Sequence, residues 1–411
     1  MNSNIKKVCV VGGGAAGMMA AGTAALYGAE VTVYEATDRL GKKLAITGKG
    51  RCNVTNRCSN QEFLENVISN PRFLYAALSE FDTESTVTFF ESLGVSLKTE
   101  RGKRVFPTSD KAKDIVDAMR KYSSGAKVIY KKVTSITQNE NDTFIVSTGK
   151  ESLEYDSVII ATGGKSYPLT GSDGSGYKLA QKLGHKITEL TPSLVPIESK
   201  DTVCKELQGL SLKNVAITVK DKNGNKIFSD FGEMMFTHFG VTGPIILSAS
   251  SHLKGYDIES LTLSVDLKPA LDEKTLDARV LSDFKNQSNK DFINSLGSLL
   301  PAKLIEPFVK RTGIDPRKKV NVITKSERKV IIDTLKAFDV QLYRFRPIEE
   351  AIITSGGIDV KEVNPKTMES KIKKGIYFAG EVLDLDAYTG GFNLQIAFST
   401  AYLAGKNSAE Y

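Results

Sequence analysis

The residues best suited to chemistry lie near the start of the chain, where three spaced glycines follow a β-branched run. Lys7 to Val11 leads into Gly12, Gly14 and Gly17, and Met18 to Tyr27 is rich in helix-forming residues. In such a turn the first glycine permits the bend, the second lets the backbone approach a pyrophosphate, and the third lets the helix lie close to the sheet. The spacing therefore predicts a diphosphate held at a helix N-terminus.

A glycine turn alone is weak support, but a second strand with a terminal acid follows at the expected distance. Val31 to Tyr34 is β-branched and aromatic, and Glu35 comes directly after it. A carboxylate at this point can accept both ribose hydroxyls of an adenosine, which disfavours a 2′-phosphate. The first forty residues therefore predict a Rossmann-type site for a dinucleotide.

Later segments return the chain to this site. Val158 to Gly164 is a buried strand that enters a glycine pair, and Gly375 to Glu381 is a strand that ends in Gly-Glu. A strand followed by Gly-acid is how FAD enzymes present a carboxylate to the ribityl chain. Gly390 to Gln395 then opens an apolar helix, whose N-terminus could stabilise negative charge on a reduced flavin ring or could be a plain helix start.

Three further features lie outside these strand and helix ends. The glycine-rich and basic loop from Arg39 to Asn56 is typical of a segment that wraps an anion, with Lys42 and Arg51 as candidate contacts. Cys52 and Cys58 have five residues between them, close to the spacing of flavin-linked disulfides, but two unpaired cysteines are favoured. Thr170 to Gly176 resembles a second phosphate loop, yet it follows no strand directly, so we interpret it as a turn and helix cap.

Composition excludes several classes. The chain has 411 residues, 41% hydrophobic and 25% charged, which is typical of a globular protein. Its 55 Lys and Arg against 48 Asp and Glu give +7, but the charges are interleaved and no nucleic-acid partner is expected. Glycines interrupt the apolar stretch from Val8 to Leu26, so we expect no membrane span and a cytoplasmic protein. The four cysteines and three histidines lack zinc spacing, so we expect no metal.

The pattern along the chain predicts an α/β protein whose FAD-binding domain is built from both chain ends. Residues 1–190 form its first part and residues 347–411 its second. An inserted β-rich domain, similar to a barrel, covers residues 191–268 and 326–346, and it contains the hairpin signal Asn223-Gly224. A helical cap domain is nested within it over residues 269–325.

Taken together, the motifs resemble a bacterial flavoprotein family that includes aminoacetone oxidase and 3-dehydro-bile-acid reductase, within the glutathione-reductase-type FAD class. The resemblance spans essentially the whole chain. The segments that carry it are Gly41 to Leu44, Gly48 to Asn56, Arg104 to Pro107, Ala161 to Gly164, Phe236 to Pro244, Thr367 to Lys371, Gly380 to Asp384 and Gly390 to Gln395.

The resemblance implies FAD as cofactor and a set of contacts to it. These are Gly12, Gly14, Ala15, Ala16, Glu35, Lys42, Gly48, Arg51, Cys52, Asn53, Val133, Ala161, Thr162, Gly163, Gly380, Glu381, Asn393, Leu394 and Gln395. His238, Tyr167 and Tyr388 are the candidate proton donors for the reduction of an enone. A histidine that orders its own loop, and tyrosines that pack in the core or at its rim, are the favoured alternatives.

These residues favour an oxidoreductase acting on a small or steroid-like organic molecule. We expect hydride transfer through flavin N5, with NADH or NADPH as a transient electron donor. One alternative is an amine oxidase of the aminoacetone oxidase type that passes electrons to O₂. The other is a flavoprotein with a nucleic-acid or protein partner and a non-catalytic FAD.

Overall fold

A computed structural model describes residues 5–410, which fold into two compact units. One unit contains the residues up to Ser193 together with those from Pro347 onward, and the other contains Leu194 to Arg346. The chain leaves the first unit once and returns to it once. Both chain ends therefore build the same unit, as the sequence predicts for a Rossmann-type domain.

Up to Ser193 the chain alternates short strands with helices. The strands are β1 (Lys7–Val11), β2 (Glu30–Tyr34), β3 (Thr55–Asn56), β4 (Leu97–Glu100), β5 (Arg104–Pro107), β6 (Lys127–Ile129), β7 (Ser135–Gln138), β8 (Phe144–Ser147), β9 (Ser152–Tyr155), β10 (Ser157–Ile160) and β11 (Thr191–Ser193). The helices are α1 (Ala15–Leu26), α2 (Lys42–Ile46), α3 (Asn60–Glu65), α4 (Tyr75–Glu80), α5 (Thr83–Ser92), α6 (Ala112–Tyr122) and α7 (Ser175–Lys182).

The second unit follows, and the last residues then return to the first. Its strands are β12 (Ile197–Ser199), β13 (Ser211–Lys220), β14 (Lys226–Thr237), β15 (Gly240–Thr242), β16 (Thr262–Asp266) and β17 (Phe338–Phe345). Its helices are α8 (Thr202–Glu206), α9 (Pro244–His252), α10 (Glu273–Asn286), α11 (Phe292–Ser295), α12 (Ala302–Thr312) and α13 (Lys325–Lys336). The returning elements are β18 (Ile353–Ser355), β19 (Ile376–Phe378) and α14 (Phe392–Ala409).

A parallel sheet with the order β19-β10-β1-β2-β6 is the core of the first unit. Val8 to Val11 of the central strand β1 are all buried, which explains why this run is apolar at every position instead of alternating. The chain crosses from β1 to β2 on one side, while β10 lies on the other side of β1. The carboxyl ends of β1 and β10 therefore face the crevice where ligands bind in such sheets.

The second unit contains a closed barrel with the strand order β12-β15-β14-β13-β16-β17. The Asn223-Gly224 signal lies in the turn between β13 and β14, which pair antiparallel, so that hairpin prediction is confirmed. The helices α10 to α13 share one hydrophobic core with the barrel, and most of α13 falls within residues 326–346. A separate helical cap domain therefore stays a prediction.

Two features are absent from residues 5–410. None of the described helices is long and apolar enough to cross a membrane. Within the same range, no group of three or more histidine, cysteine, aspartate and glutamate side chains is arranged to hold a metal ion.

A buried histidine in the first unit makes folding stability depend on pH. The Nε2 of His185 lies 2.8 Å from Ser370 Oγ, and its Nδ1 lies 3.2 Å from Glu362 Oε2. Burial lowers the pKa of His185, and the neighbouring Glu362 carboxylate offsets this only in part. Because the unfolded chain then binds a proton at a higher pH than the folded chain, His185 contributes stability above its ordinary pKa that is lost as the pH falls.

We expect the wild-type protein to lose more stability between pH 7 and pH 5 than the His185→Gln variant. One proton accounts for a slope of at most about 1.4 kcal/mol per pH unit. Urea unfolding across this range measures the free energy of unfolding of both proteins. The difference between them cancels the contributions of the other titrating groups, which the two proteins share. Parallel curves for the two proteins would mean that His185 does not titrate in this way.

Candidate active site

The glycine turn after β1 is shaped by the backbone around it. Gly12 has φ +105°, and a Cβ on it would lie 2.6 Å from the carbonyl oxygen of Ala161 at the end of β10. A Cβ on Gly17 would lie 1.8 Å from the carbonyl oxygen of Gly12, whereas one on Gly14 would meet nothing within 4 Å. Helix α1 starts after Gly14 without a side-chain cap, so its first N–H groups remain available for an anion.

Glu35 lies beside this turn, directly after β2. Its side chain is buried, and its Oε2 accepts a hydrogen bond from Gly13 N at 2.8 Å. Its Oε1 accepts one from Thr37 N at 2.7 Å. These two bonds fix the carboxylate in one orientation and leave further lone pairs for ribose hydroxyls.

A single pocket brings together the carboxyl ends of the strands and the N-termini of the four helices α1, α2, α7 and α14. Thirteen of the predicted cofactor contacts line it: Gly12, Gly14, Ala15, Ala16, Glu35, Lys42, Val133, Ala161, Thr162, Gly163, Glu381, Asn393 and Leu394. Six predicted contacts do not: Gly48, Arg51, Cys52, Asn53, Gly380 and Gln395. The contact of these six with the cofactor stays a prediction.

Glu381 also lines the pocket and follows β19, which lies on the opposite side of the central strand β1 from β2 and Glu35. Its Oε2 lies 2.7 Å from Lys43 Nζ, and its Oε1 accepts hydrogen bonds from Thr354 N at 3.0 Å and Ser166 Oγ at 3.1 Å. The same Lys43 also donates to Ser166 Oγ at 2.7 Å. The Gly-Glu turn therefore presents to the pocket a carboxylate that is fixed in orientation, which suits a group that accepts a hydrogen bond from a ribityl hydroxyl.

Helix α14 begins beside Glu381 without a side-chain cap. The Asn393 side chain makes hydrogen bonds within the protein: its Oδ1 accepts from Ala387 N at 2.9 Å, and its Nδ2 donates to Ala387 O at 2.7 Å. The backbone N–H groups of Asn393 and Leu394 have no acceptor within the helix. These N–H groups, and not the side chains, are what this helix can offer to a flavin ring.

Gln395 is part of the protein core. It is completely buried, and its Oε1 accepts hydrogen bonds from Thr55 Oγ1 at 2.6 Å and Thr86 Oγ1 at 2.7 Å. Its Nε2 donates to Asp82 O at 3.0 Å and Ser399 Oγ at 3.0 Å. The side chain therefore ties α14 to the elements packed against it.

Arg51 is engaged by two acids from a distant part of the chain. Its guanidinium bonds Glu100 and Asp110 and lies 4.3 Å from the centre of the Phe106 ring. These carboxylates raise the pKa of Arg51 above its ordinary value. With its donors turned to Glu100 and Asp110, the side chain anchors the loop that contains it.

The same loop has unusual backbone geometry. Gly48, Lys49, Gly50 and Cys52 all have φ between +58° and +83°. Glycine adopts this conformation readily, but for Lys49 and Cys52 it is costly, and such strained residues cluster in functional loops. Cys52 and Cys58 are both unpaired and buried, and burial raises the pKa of the Cys58 thiol to about 11. A reactive thiolate pair is therefore disfavoured.

The three candidate proton donors do not line the pocket. Tyr167 lies in a tight turn with φ +53°, and Tyr388 is half-buried, with its backbone N–H bonded to Asn66 O at 3.0 Å. His238 is exposed in the second unit between β14 and β15, against the Phe239 ring. Their catalytic roles stay predictions.

Several pocket residues were missed by the sequence interpretation. The loop from Thr170 to Ser175, which we interpreted as a turn and helix cap, places Thr170, Gly171, Ser172 and Ser175 in the pocket lining. It does cap α7, whose N-cap is Gly174. The resemblance of this loop to a phosphate loop could have predicted its place in the pocket. We discounted that resemblance because no strand directly precedes the loop. Lys43 was missed beside its predicted neighbour Lys42.

The pocket fits a dinucleotide such as FAD. In the sheet, β1 and its glycine turn lie between β2, which Glu35 follows, and β19, which Glu381 follows. The first N–H groups of α1 have no side-chain cap, which suits a diphosphate between the ribose and the ribityl chain. The hydroxyl oxygen of Thr162, a pocket residue, is buried and has no hydrogen-bond partner among the described residues. A bound molecule would satisfy it.

Comparison with known proteins agrees with this site. The HI0933-like protein Rossmann domain family matches residues 6–407. The chain belongs to this family. It is 30% identical over 413 residues to the 3-dehydro-bile acid delta(4,6)-reductase of Clostridium scindens, covering 99% of this chain and 100% of that one. It is 29% identical over 403 residues to the ribosomal RNA dihydrouridine synthase of Haemophilus influenzae, covering 96% of each.

The fold is also found among solved structures. The 3-ketosteroid-delta4-(5alpha)-dehydrogenase of Rhodococcus jostii RHA1, solved with 4-androstene-3,17-dione, superposes with a TM-score of 0.54 at 14% identity. It covers 100% of this chain and 99% of that one, and at this identity it establishes the fold alone. The predicted α/β fold is confirmed. The prediction that the chain is an FAD-dependent oxidoreductase is also confirmed, at the level of its family.

Proposed function

We propose that the protein is an NAD(P)H-linked, FAD-dependent reductase that saturates a C=C bond conjugated to a carbonyl group in a small or steroid-like molecule. The observation that carries this proposal is the full-length similarity to the 3-dehydro-bile acid delta(4,6)-reductase. That name describes the reduction of double bonds conjugated to a 3-oxo group. The pocket described above supports FAD as the cofactor.

The residues that would hold the cofactor divide into two groups. The N-terminus of α1 and Glu35 would take the diphosphate and the adenosine ribose, while Glu381 and the N-terminus of α14 would take the ribityl chain and the ring. FAD, when bound, supplies the hydride chemistry, so the protein need only orient the substrate and exclude wrong acceptors. The second carbon of the double bond needs a proton, for which Tyr167, Tyr388 and His238 remain candidates.

An exposed apolar turn beside the pocket supports a hydrophobic substrate. Leu169 is 92% exposed at the tip of a turn in which Thr170 N bonds Tyr167 O at 2.8 Å. Tyr167 N bonds Glu349 O at 3.1 Å, which holds the turn near Ile352, an exposed residue of the pocket lining. Apolar side chains kept in water at the edge of a pocket are suited to contact an apolar ligand.

We expect Leu169→Ser to raise the KM for a steroid enone about fivefold to tenfold, because partial burial of a leucine contributes about 1 to 1.4 kcal/mol. The KM for 2-cyclohexenone should change less than twofold, because this molecule is too small to contact both the flavin and the turn. The matched control is Leu153→Ser, which should leave both KM values unchanged. Leu153 is an exposed leucine on β9 with no pocket-lining neighbour in the chain, whereas Leu169 directly precedes the lining residue Thr170. Equal KM values for Leu169→Ser and wild type with the steroid would exclude this contact.

A uridine in ribosomal RNA is the second candidate substrate. The similarity to the ribosomal RNA dihydrouridine synthase is almost as high, and the C5=C6 bond of uracil is also conjugated to a carbonyl group. Residues 194–346 carry 24 lysines and arginines against 19 aspartates and glutamates, which is +5 of the total +7. Basic excess of this kind favours binding to a polyanion.

One experiment separates the candidates. The FAD-loaded protein is incubated with NADH or NADPH and with either a panel of steroid and cyclic enones or rRNA from a strain that lacks the gene, and products are analysed by mass spectrometry. A gain of two hydrogens on an enone supports the first candidate, and dihydrouridine in the rRNA supports the second. Peroxide formed from an amine and O₂, with neither product, would favour the oxidase alternative instead.

A further inference from the structure

Two adjacent lysines line the pocket but make different contacts. Lys42 Nζ lies 2.7 Å from Asp38, whose side chain is 72% exposed. Lys43 Nζ lies 2.7 Å from Glu381, and the two side chains are only 24% and 14% exposed. A pair screened from water in this way is stronger than one at the surface. Lys43 is thus the lysine that forms a screened ion pair with a carboxylate of the pocket lining.

Lys43 also joins segments that are distant in sequence. Its ammonium bridges Glu381 and Ser166, and Ser166 Oγ donates in turn to Glu381 Oε1 at 3.1 Å. Thr354 N provides the third hydrogen bond to the Glu381 carboxylate. A carboxylate accepts about four hydrogen bonds, so one position remains on the Oε2 atom that Lys43 contacts. Rotation of this carboxylate would break all of these bonds together.

We propose that Lys43 is a positioning residue for the cofactor: with Ser166 it holds Glu381 in the orientation that takes a hydroxyl of the ribityl chain. The proposal rests on the use of FAD in the proposed function. It assigns to Lys43 an effect on the flavin half of the cofactor alone. The adenosine half is bound by Glu35 and the α1 turn, with which Lys43 makes no hydrogen bond among the described residues.

The test compares FAD with ADP, which contains the adenosine diphosphate half and lacks the ribityl chain and ring. Both are titrated by calorimetry into the full-length chain freed of cofactor. For Lys43→Met we expect the Kd for FAD to rise about tenfold or more, because a hydrogen-bonded charge pair is lost. The Kd for ADP should stay within twofold, and Lys43→Arg, which keeps the charge, should recover most of the FAD affinity.

The matched control is Lys406→Met. Lys406 has a similar exposure of 27% and a carboxylate partner, Glu80, at 3.0 Å, but it lies outside the pocket lining. It should leave both Kd values unchanged. To show that Lys43 acts through Glu381, Lys43→Met is also introduced into Glu381→Gln, where it should change the FAD Kd less than threefold.

Two results with Lys43→Met would overturn the proposal. Unchanged FAD affinity in Lys43→Met would overturn the proposal, and so would an equal loss of FAD and ADP affinity, since that indicates a general disturbance of the pocket. If Lys43→Met does not fold, Ser166→Ala decides: a smaller selective loss of FAD affinity is expected, and unchanged FAD affinity would overturn the proposal. Absence of FAD binding by the wild type would reject both proposals, whereas binding without enone reduction would reject only the proposed substrate.

Discussion

Replacing Gly17 by alanine should destabilise the FAD-binding unit by about 3 kcal/mol or more. The added methyl group would lie 1.8 Å from the Gly12 carbonyl oxygen and 2.9 Å from its carbonyl carbon. Both atoms are backbone, so the helix or the turn must move, and with it the contact of β1 with α1. Urea unfolding of the cofactor-free protein measures the loss directly.

Gly14→Ala is the matched control, because it adds the same methyl group three residues earlier. Gly14 has φ −79°, and its Cβ would meet nothing within 4 Å, so stability should change by less than about 0.5 kcal/mol. The methyl group would instead stand where the diphosphate approaches, and the FAD Kd should rise about tenfold. Equal stability of the two variants would contradict this division of roles.

Gln395→Leu should be the second most damaging substitution, at about 3 to 5 kcal/mol. Leucine has a similar size, but it would remove the oxygen that accepts from both the Thr55 and Thr86 hydroxyls. It would also remove the amide group that donates to the carbonyl oxygens of Phe81 and Asp82. Each buried polar group left unsatisfied costs about 1 to 3 kcal/mol, and the network is lost as a whole. Thermal and urea unfolding of the cofactor-free protein provide the measurement.

Thr86→Val serves as the comparison for Gln395. It removes one donor and leaves Thr55 to satisfy the same Gln395 oxygen, so we expect a loss of about 1 kcal/mol. A Gln395→Leu protein as stable as Thr86→Val would show that Gln395 does not hold the core. It would then be better explained as a residue whose main role is at the cofactor.

The sequence was most informative where the structure is set by neighbours in the chain. The Gly12 turn and Glu35 each follow a strand by a fixed number of residues, and the βαβ geometry carries them to one crevice. Gly-Glu after β19 follows the same logic. These residues could be predicted because strand ends in a parallel sheet meet at one edge.

The sequence was least informative where a role depends on distant partners. Lys42 and Lys43 are alike by type and position, and only the three-dimensional approach of Glu381 distinguishes them. Arg51 belongs to a motif of the family, but its guanidinium donates hydrogen bonds to Glu100 and Asp110, some fifty residues away. A motif resemblance cannot tell a residue that contacts the cofactor from one that holds the contacting loop.

The most direct test of the account is an anaerobic titration of the purified protein followed by visible spectroscopy. We predict a flavin spectrum, at the latest after reconstitution with FAD, that NADH or NADPH bleaches under argon and that a conjugated enone restores before air is admitted. A protein with no flavin after reconstitution would contradict the assignment of the cofactor. A flavin that the nucleotides do not reduce, or that only O₂ reoxidises, would contradict its proposed use as a reductase.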